Sequence, residues 1–420
     1  MRNTAVKNMI KNSQVRIINC LSSNNLRAKG CENKFTRTNR GLGAQRTIEV
    51  ILSRLYKPSQ LEIDDYFKEI GGTPVTRQAF SKSRSFLNPD FVREFFDDCV
   101  TIIVRDDDES SSYKGMRLIA VDGSTLALEN SDKLIAEFGC SGSKKDAATA
   151  KCSIAFDPLN KIIYDGQIDT YATGERDLAK RHVERLNELG LQGSLLLFDR
   201  GYPSAEFIAH LLDNGYQFLM RVKEKWNCEV DAIETQDRFE FWRDSKHYEF
   251  RAIKVTLENG STETLLTSLN QKQLPAAKAA EIYFKRWAVE GAFDVLKSRL
   301  QLENFSGKTK TTVLQDFWAT LYIGNFVFAT AACSDEIIHK EDIGKNLKYA
   351  RFADIGRVVD KFRAAFIELL MCADDEGVED MLEELVFICS KHPVSKVDGR
   401  TAPRKSPRNK RFHSNRKSVV

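Results

Sequence analysis

Between residues 116 and 222 short apolar runs alternate with helical periodicity, and this alternation restricts the fold more than any other feature. Met116–Val121 (MRLIAV) and Leu195–Phe198 (LLLF) are almost wholly apolar and of strand length. Runs of that kind read as buried strands. Lys151–Phe156 and Lys161–Tyr171 read as two more strands, joined around Asp157-Pro158-Leu159-Asn160. Glu175–Leu189 has the spacing of an amphipathic helix and stops at Gly190. A short helix, Ala205–Asp213, and a strand, Gln217–Val222, follow. The order β-β-β-α-β-α-β predicts an α/β layer with a mixed sheet.

The chain has 420 residues, enough for two or three domains and a large core. Residues 1–112 form a first region. Its start, 1–45, is polar and expected to be partly disordered. Helices are expected at Thr47–Tyr56, Leu61–Ile70, Thr76–Phe86 and Pro89–Val100. Thr76–Phe86 carries Arg77, Lys82 and Arg84 behind a Gly-containing turn, which suits a helix-turn-helix-like DNA contact or a solvated helical cap. Asp106–Ser112 is an acidic, polar linker. Residues 113–225 hold the alternating segment. Residues 226–273 turn to strands (Phe239–Trp242, Tyr248–Leu257, Thr262–Thr267) with Asn259-Gly260 as a hairpin turn. Residues 274–390 return to helices, at Pro275–Leu300, Val313–Ala332, Phe352–Met371 and Val378–Cys389.

The net charge of +4 conceals an asymmetry. Residues 391–420 hold ten Lys/Arg against one acid, Asp398, for +9, and leave the rest of the chain at −5. Such a tail, nearly without apolar residues, is expected to be disordered and to follow phosphates. Nine dispersed cysteines without a CxxC pair disfavour a zinc site of the usual spacing. No membrane span and no signal peptide are read, so a cytoplasmic protein is expected.

Asp122 and Asp199 share one context: each ends an apolar run and precedes a Gly within two residues. If the two strands are neighbours, their ends bring two carboxylates to metal-bridging distance. Alone, either Asp could simply start a turn. Glu281–Leu300 reads as one long helix. At about 100° per residue, Tyr283, Arg286, Glu290 and Lys297 fall within about 60° of one another on a mostly apolar helix. Such a strip suits the lining of a cleft, or an i,i+4 ion pair of Arg286 with Glu290. Three carboxylates on two strands and a helix suit Mg²⁺, which takes oxygen ligands. Two ions about 3.5–4 Å apart would serve phosphodiester chemistry.

These segments resemble the DDE transposases of the bacterial insertion-sequence-4 family. The spacing Tyr283, two residues, Arg286, three residues, Glu290, six residues, Lys297 resembles the family signature. DGST at 122–125 and FDRGY at 198–202 resemble its first and second Asp motifs. PVTRQAFSKSR at 74–84, LENFSGKT at 302–309 and VLQDFWATLYIGNF at 313–326 are similar to other family segments.

The resemblance implies an RNase H-like catalytic core in two parts, 113–225 and 274–390, interrupted by a β-rich insertion. A helical DNA-binding region precedes the core and the basic tail follows it. It implies that Asp122, Asp199 and Glu290 are catalytic and hold two Mg²⁺, for which Mn²⁺ can substitute. Tyr283, Arg286 and Lys297 would contact DNA. The implied activity is cut-and-paste transposition at terminal inverted repeats, without a covalent protein–DNA intermediate. The implied partners are double-stranded transposon ends and target DNA, with no membrane and a homodimer in the active complex. Some relatives stack a flipped base on an insertion Trp; Trp226 and Trp242 are the candidates, although core positions suit both. The alternative is a transposase-derived DNA-binding protein that has lost catalysis.

Overall fold

The apolar runs between 116 and 222 become strands of one mixed sheet in the computed structural model, which describes residues 2–19, 42–53, 59–106, 110–142, 147–256 and 260–396. The basic tail from residue 397 on, residues 20–41, part of the acidic linker and Asn259 lie outside these residues. The chain divides into two units. One comprises Glu109–Thr125 and Lys151–Phe293; the other comprises Met1–Asp108, Leu126–Ala150 and Asp294–Val420.

The strands are β1 (Leu118–Ala127), β2 (Cys140–Ser141), β3 (Ala147–Asp157), β4 (Ile162–Thr170), β5 (Leu195–Phe198), β6 (Gln217–Arg221), β7 (Gln236–Arg243), β8 (Lys246–Thr256) and β9 (Thr262–Thr267). The sheet runs β3-β1-β5-β6-β9-β8-β7, with β4 on the outer side of β3. β1, β5 and β6 are parallel neighbours. Parallel neighbours need crossovers, and the helices Glu175–Glu188 and Ala205–Asp213 provide them. The first buries Leu178, Ala179, His182, Val183 and Leu186, one stripe at helical spacing. The second starts at Ser204, whose hydroxyl accepts from the N–H of Phe207. The strands expected within 226–273 do not stand apart. β9 pairs antiparallel with β6, β8 with β9 and β7 with β8, so they continue the same sheet.

Two expectations change in this unit. β1 does not end at Asp122 but runs on to Ala127, because its backbone stays paired with β3. Pro275–Leu300 is not one helix. It comprises Ala276–Phe284 and Trp287–Asp294, joined by a tight turn in which Arg286 N–H donates to Tyr283 O at 2.9 Å. A π-helical turn, Val295–Arg299, follows in the other unit.

The other unit is mainly helical and is built around Lys310–Asp342. That helix is long and apolar enough to cross a membrane by length and composition, a feature the sequence reading passed over, but its apolar window is packed inside the protein. Pro89–Arg105 lies against it through Phe95–Tyr322 and Phe96–Trp318, and Ile355–Met371 through Phe326–Phe362. The first residues are more ordered than expected. Arg2–Asn19 is a helix that buries Val6, Met9, Ile10 and Ile17, and Ser13 accepts the Tyr322 hydroxyl at 2.8 Å.

The basic helix is Arg77–Arg84. Arg77 and Lys82 are exposed, but Arg84 is buried. Its guanidinium donates to Gln315 Oε1 (2.8 Å), Ser306 Oγ (2.6 Å) and Asp316 Oδ1 (2.9 Å). Arg84 therefore ties helices together and is not presented to DNA.

Candidate active site

Strand register brings the two aspartates level. Leu118 lies opposite Leu195, Ile119 opposite Leu196 and Ala120 opposite Leu197. Asp122 stands four residues beyond Leu118, and Asp199 four beyond Leu195. Side chains alternate across a strand, so equal even spacing carries both carboxylates to one level and one face. The helix Trp287–Asp294 adds Glu290.

Arg286 joins these acids. Its side chain is 2% exposed; Nη2 donates to Glu290 Oε1 at 2.9 Å and Nη1 lies 3.4 Å from Asp122 Oδ2. The guanidinium also lies over the rings of Trp287 and Tyr283. Asp199 has its own cation, Arg221 at the end of β6, with Nη2 2.9 Å from Oδ1. Tyr283 Oη approaches the same oxygen at 3.4 Å. Five of the six residues singled out from the sequence thus share one site. The sixth, Lys297, belongs to the other unit, where Nζ lies 3.4 Å from Glu303 Oε1.

The expectation for Arg286 needs revision. A guanidinium this buried, engaged with two carboxylates, is not offered to a DNA phosphate in this arrangement. The apolar face of the segment also differs: Phe284 is 66% and Trp287 45% exposed, on either side of the turn at Lys285-Arg286. Trp242 is exposed as well, on β7 against His247. Trp226 is half-buried, with its indole N–H directed to Pro203 O at 3.4 Å.

The two aspartates are electrostatically unlike. Burial pushes the Asp122 carboxyl up to about 6; Arg286 and the Gly123 N–H oppose this, while Glu290 and Asp199 add to it. Burial also acts upward on Asp199, but the Arg200 N–H, Arg286 and Arg221 together hold it below the ordinary carboxylate range. Neighbouring carboxylates driven apart in this way are typical of reaction sites.

Behind Asp122 lies a polar chain that sequence reasoning missed. Ser153 Oγ donates to Asp122 O at 2.9 Å and meets His182 Nε2 at 2.9 Å. His182 Nδ1 meets Asp165 Oδ2 at 2.6 Å, and His182 and Asp165 are fully buried. A histidine on the inner stripe of Glu175–Glu188 was the available signal, since a buried imidazole needs partners. Arg221 was legible as a charge ending the apolar run of β6. Behind Asp199, Arg176 donates to the carbonyls of Tyr202 (3.0 Å), Gly201 (3.3 Å) and Pro203 (3.3 Å), fixing the turn after the second aspartate.

The donor set fits a hard divalent cation. Every candidate ligand is a carboxylate oxygen, the set suited to Mg²⁺ or Mn²⁺ rather than a softer metal. The buried hydroxyl of Tyr202 has no hydrogen-bond partner, and Asp122, Glu175 and Asp199 act on it electrostatically. Among the described residues the ligand atoms that lie at metal-binding spacing of one another are those of Glu240, His247 and Glu249, exposed on the β7–β8 hairpin, where Glu240 and Glu249 are cross-strand partners. That group shares no residue with the aspartate site.

The family model described as "Transposase DDE domain" matches residues 113–325, just over half of the chain. No curated protein shows a significant match. Among solved structures, the chain is similar to the piggyBac transposase synaptic complex with hairpin DNA, determined by cryo-EM. The identity is 11% and the TM-score 0.41, over 81% of this chain and 74% of that one. A likeness of that degree is too slight to carry an argument.

Proposed function

The chain belongs to the transposase DDE domain family, and on that footing we propose that it moves an insertion sequence by cut-and-paste transposition, in the manner of the insertion-sequence-4 family. Asp122, Asp199 and Glu290 are the catalytic carboxylates on an RNase H-like core. The observation that carries this reading is the β1–β5 register, which sets Asp122 and Asp199 level while Arg286 ties Asp122 to Glu290.

The three carboxylates would hold two Mg²⁺ ions, with Mn²⁺ able to substitute. Such ions supply charge stabilisation for the attacking and leaving oxygens of a phosphodiester. In the first step, water attacks a phosphorus at the terminal inverted repeat. A new P–O bond forms, the bond to O3′ breaks, and a 3′-OH and a 5′-phosphate result. In the second, that 3′-oxygen attacks a target phosphodiester, and the displaced target oxygen leaves as a hydroxyl.

The protein's own groups organise the site. Arg221 and Tyr283 hold Asp199, Ser153 holds the backbone at Asp122, and Arg286 keeps Asp122 and Glu290 aligned. Lys297, Arg77, Lys82 and the basic tail are the proposed phosphate contacts. Tyr283, which is buried like Arg286, and Arg286 contact DNA near the cleaved end only by exchanging their carboxylate partners for phosphate. Two DNA ends must be brought together, so the active form is at least a homodimer. The test is to incubate the full chain with the element's end sequence and Mg²⁺ and map the cuts. Metal-dependent cleavage at the repeat termini, lost in Asp122→Asn, Asp199→Asn and Glu290→Gln while end binding persists, is the expected result. Binding without cleavage by the parent chain would favour a DNA-binding protein without catalysis.

A further inference from the structure

A chain of buried hydrogen bonds runs from β4 through the crossover helix Glu175–Glu188 to the backbone of β1. Gln167 Nε2 donates to Asp165 Oδ2 at 2.7 Å, and the same oxygen meets His182 Nδ1 at 2.6 Å. His182 Nε2 meets Ser153 Oγ at 2.9 Å, and Ser153 Oγ lies 2.9 Å from Asp122 O. Asp165, His182 and Ser153 are each 0% exposed, so bulk water does not complete their bonds. The chain reaches Asp122 from behind. A Cβ on Gly123, the next residue, would stand 3.3 Å from Glu175 Cγ, so Gly123 faces this helix. Side chains alternate across a strand, and the Asp122 carboxylate points away from it. The chain therefore acts on the carboxylate through the β1 backbone.

Ser153 has one hydroxyl hydrogen to give. Asp122 O is a carbonyl oxygen and only accepts, so that hydrogen goes to it. Ser153 then has none left for His182, and the 2.9 Å contact is a hydrogen bond only when Nε2 carries the hydrogen. The charge of Asp165 calls for the same proton. Its carboxylate is fully buried, its Oδ1 has no hydrogen-bond partner, and among the described residues the imidazole is the group that pairs with it as a cation. A buried carboxylate without a counter-charge is costly. An imidazole with hydrogens on both nitrogens neutralises Asp165 and completes both contacts.

We propose that Asp165 and His182 are positioning residues for Asp122: the pair holds two protons, one of them on Nε2, and the Nε2–H bond to Ser153 Oγ commits the Ser153 hydroxyl to Asp122 O. The inference rests on the reading of Asp122 as a catalytic carboxylate and adds what holds its strand in place.

Two measurements on the full-length chain test it, the first independent of catalysis. In protein labelled with ¹⁵N-histidine, the ring resonances of His182 are identified by their absence in His182→Gln, and at pH 7 they are expected to report a hydrogen on Nε2. An imidazole protonated on Nδ1 alone overturns the inference. The second follows DNA-end cleavage beside backbone amide exchange, read by mass spectrometry. His182→Met fills the space but offers Ser153 no hydrogen. It is expected to speed exchange within residues 118–127 about tenfold, the factor of one ordinary hydrogen bond. It should also slow cleavage by up to about 100-fold while DNA-end binding is kept. His182→Gln retains an N–H donor and is expected to recover part of both losses. Parental exchange and cleavage in His182→Met overturn the inference, as does faster exchange spread evenly over the whole chain, which marks a merely structural role. If exchange quickens at 118–127 while the parent chain itself does not cleave, the positioning of β1 is upheld and the reading of Asp122 as catalytic falls.

Discussion

Two charged residues set the chemistry of the site before any ligand arrives. Arg286 is the counter-charge for Asp122 and Glu290, so Arg286→Ala leaves both without their buried cation. Breaking a buried pair costs about 3–5 kcal/mol; because Asp122 and Glu290 keep some contact with water, a loss of about 2–3 kcal/mol is expected in urea unfolding. Arg286→Lys keeps the charge but cannot span both acids, and recovers only part of that loss. Asp122 gives the site a pH signature. Its carboxyl ionises at about 6 in the folded chain against an ordinary value of 3.8. Between those values the folded state holds a proton that the unfolded state has released, so metal-free stability falls as pH rises and levels off above about pH 6. Asp122→Asn removes this dependence. The variant should melt higher than the parent at pH 7 and alike at pH 3, and equal melting at both would remove the burial argument.

At the scale of elements, β1 is held in place partly by a side chain of its neighbour. Ser153 on β3 secures Asp122 O, and His182 on the crossover helix secures Ser153. Ser153→Ala leaves a buried imidazole nitrogen and a carbonyl without that bond, at a cost of about 1–3 kcal/mol. It should lower cleavage more than DNA-end binding, because the strand that positions Asp122 loosens; equal losses in both would point to general unfolding. The helix Trp287–Asp294 offers the opposite case. Gly291 sits inside it, exposed, with nothing within 4 Å of a Cβ placed there. Gly291→Ala should raise stability by about 0.5–1 kcal/mol, the usual gain in a helix interior, measured as a shift in urea midpoint.

At the scale of the whole molecule, charge is distributed unevenly along the chain. Residues 391–420 carry +9 while the remainder carries −5. Each phosphate neutralised adds about −0.9 to the slope of log K against log salt. Removing residues 397–420 should flatten the salt dependence of DNA binding by several such increments and leave the melting temperature of the remaining chain unchanged. An unaltered slope would reduce the tail to a solubility device.

The sequence by itself determined the strand and helix alternation of 116–222, because apolar periodicity is a local property that burial on a sheet imposes residue by residue. Leu195–Phe198, Ala205–Asp213 and Thr262–Thr267 have the bounds read from the residues. Asp122 and Asp199 were conspicuous because they share one context: each ends an apolar run, where a strand's interior excludes carboxylates and its end exposes them. What only the tertiary structure decided depends on which elements become neighbours. The parallel register makes the aspartates level, Arg286 turns inward to Asp122, and Glu175 fits against Gly123 and Gly201. Arg84 looked like a DNA contact beside Arg77 and Lys82, but Gln315 and Asp316, more than two hundred residues away, made it a buried tie. A charged side chain carries no local mark of its partner; its place is set by whichever opposite charge or acceptor the fold brings within reach when both leave water.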